Sequence, residues 1–481
     1  MKTCNSKIKA PAFLGAALML LIALLFTACP QRAKPKPKHT ITFSVDGTGG
    51  TLKATAGGSA INSGNEVEEG KTVTFVATPA AGYKVKEWKL GGNAVNGTNT
   101  SYALAVTAAI NVTVSFEPKK AFLTLAAGKN TVKVKAKTAD GSAIKVEGCN
   151  VNELANEAET TLTVTNPERK LALIGDIIEL DCSGDENVSG NRPLIALDVS
   201  GLTALQKLDC QYNKITALNV QGLTKLEKLN CSVNELTTLD VQGLTALQQL
   251  DCSVNQIPEF NVQGCAALQK LECGGNQLTT LNVQGCTVLQ QLNCRSNKLT
   301  ALNVQGCTAL KELNCSRNQL TALDVSGLKA LQELDCRSNQ LATLNVQGLT
   351  ALQKLDCESN QLSTLDVQGL TKLQKLDCRK NQLSALDVQG CTALKRLLCF
   401  KNKLNADAFT KLFNDLPIRE VSDGAKAILY TEPDVYNPQA NDGNCTDFTT
   451  PESLKKAFEN AKNIKHWNMQ KTNHIGFPED I

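Results

Sequence analysis

The sequence predicts a mainly β solenoid, in which the chain returns to the same place once every 21 residues. Three regular columns of residues support this prediction. A cysteine recurs at each twenty-first position without a slip: Cys210, Cys231, Cys252, Cys273, Cys294, Cys315, Cys336, Cys357, Cys378 and Cys399. Asparagine recurs with the same period from Asn213 to Asn402, and glycine from Gly201 to Gly390. With a degenerate first turn at Cys182, the columns indicate about 10–11 turns.

Alternation inside each turn predicts a short strand. Leu208 and Cys210 alternate with Asp209, so the first two side chains point into the coil and the third points to solvent. The recurring pattern LxxLxCxxNxL matches the leucine-rich-repeat signature, with Cys in a slot more often filled by Leu. The sequence therefore predicts a leucine-rich-repeat solenoid over residues 174–404.

The other half of each turn predicts a second strand and two corners. Leu218 and Val220 alternate with Asn219, which favours a short strand on the opposite side of the coil. Asn213 falls where the chain bends inward, and its carboxamide can satisfy buried backbone groups. Gly222 marks the second corner, where a positive φ or close backbone contact excludes a Cβ.

The chain has 19 cysteines, a number that raises the question of disulfides or metal binding. We call the cysteines that recur every 21 residues the cysteine ladder. Four further cysteines lie at a repeat position that is Leu in other turns: Cys265, Cys286, Cys307 and Cys391. In-register strands keep their Cβ atoms about 4.8 Å apart, beyond the distance that a disulfide prefers. No CxxC pair occurs and no histidine accompanies the ladder, which argues against zinc. We therefore expect small, buried, inert thiols and no metal site.

The amino terminus has the pattern of a lipoprotein signal. Three lysines precede an apolar run from Ala10 to Phe26, followed by Thr-Ala and Cys29. This resembles a bacterial lipobox, although Phe26 replaces the usual Leu. The resemblance implies that residues 1–28 are removed, that Cys29 is acylated, and that residues 29–39 form a Pro/Lys tether. An uncleaved membrane anchor is the alternative, and both place the rest of the chain outside the cytoplasm.

Two small β modules are predicted before the solenoid. Residues 40–117 contain short alternating runs divided by Gly-rich turns, and their GTGG and ATPAAGYKVKEW segments resemble the divergent internalin B-type repeats. Tyr83 and Trp88 in this module belong either to its core, the interpretation that we favour, or to a ligand platform. Residues 118–173 are interpreted as a β cap over the open end of the solenoid.

A different cap is predicted at the far end, over residues 405–481. Apolar residues share one helical face from Ala406 to Leu416, and Pro417 ends that helix. A second helix is predicted with Thr450 as N-cap and Pro451 at its first position. The aromatic residues beyond the repeats are interpreted as part of a lid rather than as a ligand site.

The outward positions of the first strand in each turn form a candidate binding face for a protein ligand. It comprises Lys207, Asp209, Lys228, Asp251, Lys270, Arg295, Arg317, Asp335, Arg337, Lys354, Asp356, Lys375, Asp377, Arg379 and Arg396. Acidic and basic rows alternate across this face. The alternative is a solvated ladder in which these charges only neutralise one another.

Other function classes receive little support. The chain has only three histidines and lacks the GxSxG, P-loop and HExxH motifs, so no catalytic residue, cofactor or small-molecule substrate is predicted. A net charge of +4 with mixed signs on the face does not resemble a nucleic-acid-binding stripe.

Taken together, the lipobox, the B-type repeat, the repeats of LxxLDCSxNxLTxLDVxGLTA type and the LNADAFTKLFNDLP segment resemble the leucine-rich-repeat surface lipoproteins of treponemal spirochaetes. The resemblance implies a lipid-anchored protein of the cell envelope, on the outer membrane and exposed at the surface, that binds a host or bacterial surface protein. The alternative is a periplasm-facing structural or scaffolding lipoprotein without a host partner. The motif positions are structural, so no binding residue carries over from the family.

Overall fold

The structure, a computed structural model, describes residues 34–185, 192–432, 443–473 and 477–481. The predicted signal segment and Cys29 lie outside the described residues, as does most of the bulge expected near residues 183–192. The described chain divides into two compact units. The smaller one contains residues 34–80 and 85–117, and the larger one residues 81–84 and everything after 117.

The smaller unit consists of two β-sheets. Its strands are β1 (Lys38–Asp46), β2 (Gly50–Ala56), β3 (Ser59–Ile61), β4 (Asn65–Glu68), β5 (Thr72–Pro79), β6 (Tyr83–Leu90), β7 (Asn93–Val95), β8 (Ser101–Ala105) and β9 (Ile110–Pro118). One sheet has the order β4-β1-β9-β6-β7 and the other β3-β2-β5-β8. Phe75 and Trp88 are fully buried, and Trp88 donates its Nε1–H to the carbonyl of Asn99 at 2.6 Å. The prediction that Trp88 belongs to the core is confirmed.

The larger unit begins with a β cap. Its strands are β10 (Lys120–Leu125), β11 (Thr131–Thr138), β12 (Ile144–Glu147), β13 (Glu153–Leu154), β14 (Thr160–Thr163), β15 (Lys170–Ile174), β16 (Ile177–Asp181) and β17 (Leu194–Asp198). Five of them form a sheet of order β13-β12-β15-β10-β17, and β14-β11-β16 open a second, 16-stranded sheet.

Parallel three-residue strands continue that long sheet, one per turn. They are β18 (Lys207–Asp209), β19 (Lys228–Asn230), β20 (Gln249–Asp251), β22 (Lys270–Glu272), β24 (Gln291–Asn293), β25 (Glu312–Asn314), β26 (Glu333–Asp335), β27 (Lys354–Asp356), β28 (Lys375–Asp377) and β29 (Arg396–Leu398). The central leucines pair in register from Leu180 and Leu208 onwards, and every ladder cysteine is buried. The predicted mainly β solenoid is confirmed.

A regular second strand in every turn was a wrong prediction. Among the repeats after β18 that the structure describes, β21 (Glu259–Asn261) and β23 (Thr280–Asn282) pair on the opposite side, and the other contacts there are single bridges at Asn282–Asn303 and Asp366–Asp387. Leu218 and Val220 are nevertheless buried as expected. Because the Asn219 Oδ1 accepts the Gln221 N–H at 3.0 Å, the backbone turns directly after this short segment.

The described residues of the C-terminal cap form two α-helices, α1 (Ala406–Asp415) and α2 (Glu452–Asn463), a short 3-10 helix (Val421–Asp423), and three strands, β30 (Lys426–Thr431), β31 (Asn468–Thr472) and β32 (Pro478–Asp480). β30 and β31 extend the parallel sheet beyond β29, a continuation that was not predicted. The N-cap of α2 is Pro451 rather than Thr450, whose hydroxyl lies 3.3 Å from Asp447 Oδ2. Phe409, Phe413 and Phe448 pack together inside the cap and are buried, as expected for core residues. In the part of the chain that the structure describes, neither helix is long and apolar enough to cross a membrane.

Candidate ligand-binding face

We define the strand face as the outward side of the parallel strands from β16 to β29. In each turn its first row is the residue before the strand leucine, its second row the residue after it, and its third row the residue after the cysteine. Two grooves run along this face. A groove of about 580 Å³ extends from Lys135 and Glu179 to Glu272. A second groove of about 330 Å³ begins at the same Glu272 and extends to Lys375.

The asparagine column fixes the corner at which each strand ends. Asn297 Nδ2 donates to the carbonyls of Cys273 at 3.1 Å and Cys294 at 3.0 Å, and its Oδ1 accepts the Leu278 N–H at 3.0 Å. The asparagines of the other turns make the same contacts, and they are all buried. The predicted role of this column is confirmed, because one side chain joins consecutive turns through otherwise unsatisfied backbone groups.

Second-row side chains also have a structural role that was not predicted. Asp251 Oδ1 accepts the Ser253 N–H at 2.9 Å, and Asn314 Oδ1 accepts the Ser316 N–H at 3.1 Å. Such turns suit Asp and Asn equally, which explains why the row mixes these two residues. An acidic residue in this row is therefore no sign of ligand binding by itself.

The left-handed residue one position after the third row was also not predicted. Its φ is close to +55° in Tyr212, Val254, Arg317 and Lys380, among others, and Gly275 in the same column has a φ of +66°. Side chains with a Cβ are rare in that conformation, and β-branched ones most of all. Gly275 is a signal from which the sequence could have indicated this corner.

The ladder thiols are buried, and they form no disulfide among the described residues. Burial raises the pKa of the Cys294 thiol to about 12, and that of Cys265, in the second cysteine column, to about 11. The thiolate is the reactive and metal-binding form, so these cysteines act as small apolar side chains.

Several first-row lysines are neutralised by carboxylates on the same face. Lys207 Nζ lies 3.0 Å from Glu179 Oε1, and Lys354 Nζ lies 2.6 Å from Glu333 Oε1. Lys270 Nζ lies 3.4 Å from Glu272 Oε1. These contacts support the alternative of self-neutralising charge for part of the face, but exposed pairs of this kind contribute only about 0.2–1 kcal/mol each.

The prediction that every second-row side chain faces solvent is wrong at Asp356 and Asp377. These carboxylates are only 8% and 2% exposed. Arg337 lies 3.4 Å from Asp356, and Arg379 lies 3.3 Å from Asp377, so the arginines cover the acids. Arg379 also lies over the ring of Phe400, with its Cζ 5.4 Å from the ring centroid.

Asp356, Glu358 and Asp377 bring their carboxylate oxygens within 4.8 Å of one another. Arg379 and Lys380 contact Glu358 at 2.6 Å and 2.8 Å, so side-chain cations already neutralise this cluster. Burial, followed by repulsion from Asp356, raises the pKa of Asp377 to about 6. We interpret this group as an ion-pair network that stiffens the face.

The remaining predicted residues differ in exposure. Lys228, Arg295, Arg317, Lys354 and Arg396 are exposed, whereas Lys207, Asp209, Asp251, Lys270, Asp335, Arg337, Lys375 and Arg379 are partly buried. Arg295 and Lys228 form no ion pair with the residues that the structure describes. Burial raises the pKa of Asp209 to about 6, and repulsion from Asp181 and Asp251 adds to the shift.

Comparison with protein families is consistent with both units. Residues 308–349 match the family model for leucine-rich repeats in two copies. The solenoid is a leucine-rich-repeat domain. Residues 50–120 match the divergent InlB B-repeat domain, which confirms the resemblance of the first module.

Solved structures include similar proteins. The functional domain of InlJ from Listeria monocytogenes, described as including a cysteine ladder, is 32% identical, with a TM-score of 0.47. That match covers 55% of this chain and 63% of the InlJ chain, so this chain spans less than two thirds of it. A leucine-rich-repeat protein of Leptospira interrogans is 23% identical over 44% of this chain and 71% of that one, with a TM-score of 0.33. YopM, an effector protein from Yersinia pestis, is 25% identical over 42% and 56% of the two chains, with a TM-score of 0.38. The search of curated proteins found no match.

Proposed function

We propose that this protein is a non-enzymatic adhesion or protein-interaction module of the cell surface, which binds a protein ligand along its strand face. The observation that carries the proposal is the continuity of the two grooves, which share Glu272 and together follow the face from the β cap to β28. A long open groove along a sheet, lined by charged and amide residues together with the strand leucines, fits an extended protein surface better than a small molecule.

We further propose that the chain is a lipoprotein of the spirochaete type, anchored at Cys29 to the outer membrane and exposed at the surface. The apolar run that ends in Thr-Ala-Cys supports this assignment, as does the Pro/Lys-rich segment after it. Many copies on one cell would add avidity to contacts that are individually weak.

Binding is tested by measuring how the purified protein attaches to intact host cells and to neighbouring bacteria. The double variant Lys228→Glu/Arg295→Glu reverses two exposed, unpaired charges on the strand face. We expect it to bind at least tenfold less, whereas Lys225→Glu/Lys329→Glu, at exposed positions beyond the glycine corners, keeps wild-type binding. Protease treatment of the target cells should abolish binding. Equal attachment of both double variants would place the binding site elsewhere.

The anchor is tested separately. We expect Cys29→Ser to abolish palmitate incorporation and to release the protein from the membrane fraction. A non-permeant protease applied to intact cells should degrade the wild-type protein. Full protection from that protease would favour the periplasm-facing scaffold instead.

A further inference from the structure

Three cations stand in register at the C-terminal end of the strand face and on β30, the strand that follows it. Lys375 on β28 lies opposite Arg396 on β29, and Arg396 lies opposite Lys426 on β30. Lys375 is partly buried, and the other two residues are exposed. Neighbouring strands are about 4.8 Å apart, so these three residues span about 10 Å along the solenoid. We call them the cation ladder.

The cation ladder differs from other lysines nearby because acidic groups act on it only from beyond ion-pair distance. Asp335 and Asp377 attract Lys375, and Asp480 attracts Lys426, without forming an ion pair. Lys354 pairs with Glu333 at 2.6 Å, and Lys395 pairs with Asp423 at 2.7 Å. None of the three ladder residues forms an ion pair with any carboxylate in the described ranges. Like charges directly opposite one another on adjacent strands repel, so this arrangement is destabilising without an anion.

The second row explains the lack of ion pairs at Arg396 and Lys426. It is acidic at Asp335, Asp356 and Asp377, but it changes to Leu398 and Ile428 beside Arg396 and Lys426. Leu398 and Ile428 are buried in a small cluster with Phe400. The carboxylates at either end of the ladder are already engaged. Asp377 lies against Arg379 at 3.3 Å, and Asp480 accepts from Gln470 at 2.9 Å.

We propose that the cation ladder binds an acidic helical segment of the protein ligand, laid along the solenoid axis with carboxylates at positions i, i+3 and i+7. The proposal rests on the proposed function and identifies the chemistry of its partner. The face is three residues wide, or about 10 Å, which matches the diameter of an α-helix of about 10–12 Å. Seven helical residues rise about 10.5 Å, close to the 10 Å of the ladder.

An extended acidic strand fits the spacing less well. Side chains on one face of a strand recur every two residues, or about 6.6 Å, so three of them span about 13 Å. That span is about 3 Å longer than the cation ladder. A helix therefore aligns three carboxylates with three cations, whereas a strand aligns only two.

Two synthetic peptides test the proposal with the whole purified protein. Both are Ala-rich, acetylated helices of the same composition, one with Glu at i, i+3 and i+7 and the other with its Glu residues spread around the helix. We expect the first peptide to bind more tightly in fluorescence anisotropy and to weaken as salt rises. Each exposed ion pair is worth up to about fivefold in affinity, so Lys375→Gln/Arg396→Gln/Lys426→Gln should weaken binding about tenfold or more.

The matched control is Lys225→Gln/Lys329→Gln/Lys372→Gln, which removes the same charge at exposed corner positions. It should change peptide affinity less than twofold, and unchanged melting of both variants shows that they fold. Equal binding of the two peptides, equal affinity of the two variants, or tighter ladder-dependent binding of heparin would each overturn the proposal. If the peptides fail while cell attachment still depends on Lys228 and Arg295, the proposed function stands and only this inference falls.

Discussion

Replacement of Asn297 by alanine tests how the solenoid is held together. The side chain is buried and donates to the carbonyls of Cys273, Cys294 and Arg295 at 3.1, 3.0 and 3.3 Å. Its Oδ1 accepts the buried N–H of Leu278 at 3.0 Å. Alanine removes all four contacts without adding bulk.

The cost follows from the groups that the substitution leaves unpaired. The carbonyls of Cys273 and Cys294 retain a second donor each, from Asn276 at 3.1 Å and Asn318 at 3.0 Å. The Leu278 N–H loses its acceptor, and a buried donor without an acceptor lowers the free energy of unfolding by about 1–3 kcal/mol. The lost bonds to carbonyls that keep other partners add about 1–2 kcal/mol. We expect the free energy of unfolding to fall by about 2–5 kcal/mol.

Urea unfolding followed by far-ultraviolet circular dichroism measures this change, provided that the slopes of the two transitions agree. Asn303→Ala in the same turn is the matched control, because Asn303 is exposed and its Oδ1 accepts one N–H, from Gln305, at 3.0 Å. Asn303→Ala should lower the free energy of unfolding by about 1 kcal/mol or less. Equal costs for the two substitutions would refute the role that we assign to the asparagine column.

Three further predictions follow from the same turns. Burial raises the pKa of Asp209 from 3.8 to about 6, so the folded state loses stability as pH rises from about 4 to about 6. In urea unfolding, Asp209→Asn should therefore stabilise the protein by about 1 kcal/mol at pH 7.5 but not at pH 4. This figure is below the full linkage value because Asp209 is only partly buried; an equal gain at both pH values would contradict the assignment. Val254 has a φ of +54°, which Asn tolerates better than a β-branched residue, so Val254→Asn should raise the free energy of unfolding by about 1 kcal/mol. Val288→Asn, at an exposed valine outside the left-handed corners, should not, and thermal melting distinguishes the two variants. Finally, maleimide should label the half-buried Cys149 and Cys445 in the native protein and the ladder thiols only after denaturation, as mapped by mass spectrometry; rapid native labelling of Cys294 would contradict its burial.

The sequence predicts the solenoid well because a strict period imposes the same environment on each column. Leu208 and Cys210 could be assigned to the core, and Asn213 to the inward bend, from position alone. The period could not show whether the second segment of each turn forms a paired strand, because strand pairing depends on where the backbone turns begin. The Asx turn after Asn219 ends a segment that alternation alone would extend.

Predictions were weakest where the period stops. Asn444 donates to the carbonyls of Cys399 at 2.9 Å and Leu429 at 2.8 Å, and it accepts the Leu404 N–H at 2.9 Å. It therefore continues the asparagine column across α1 and β30, although its sequence neighbours carry no repeat signature. Because α1 and β30 lie between Asn402 and Asn444, the 21-residue spacing could not predict the role of Asn444.

On the strand face, alternation predicted which residues point away from the core but not which of them remain available to a ligand. Asp377 and Arg379 occupy outward positions, yet each covers the other, since their side chains can reach across adjacent rows. Arg295 has no such partner among the described residues and remains exposed. The difference depends on neighbours 21 residues away, so it requires the structure.

A photo-crosslinking amino acid at Gln249, an exposed first-row position in the larger groove, tests the central claim most directly. On intact target cells it should form a crosslink to a protease-sensitive surface protein, while the same group at Lys225, beyond the glycine corner, should form none. Crosslinks from Lys225 alone, or from neither position, would contradict ligand binding by the strand face.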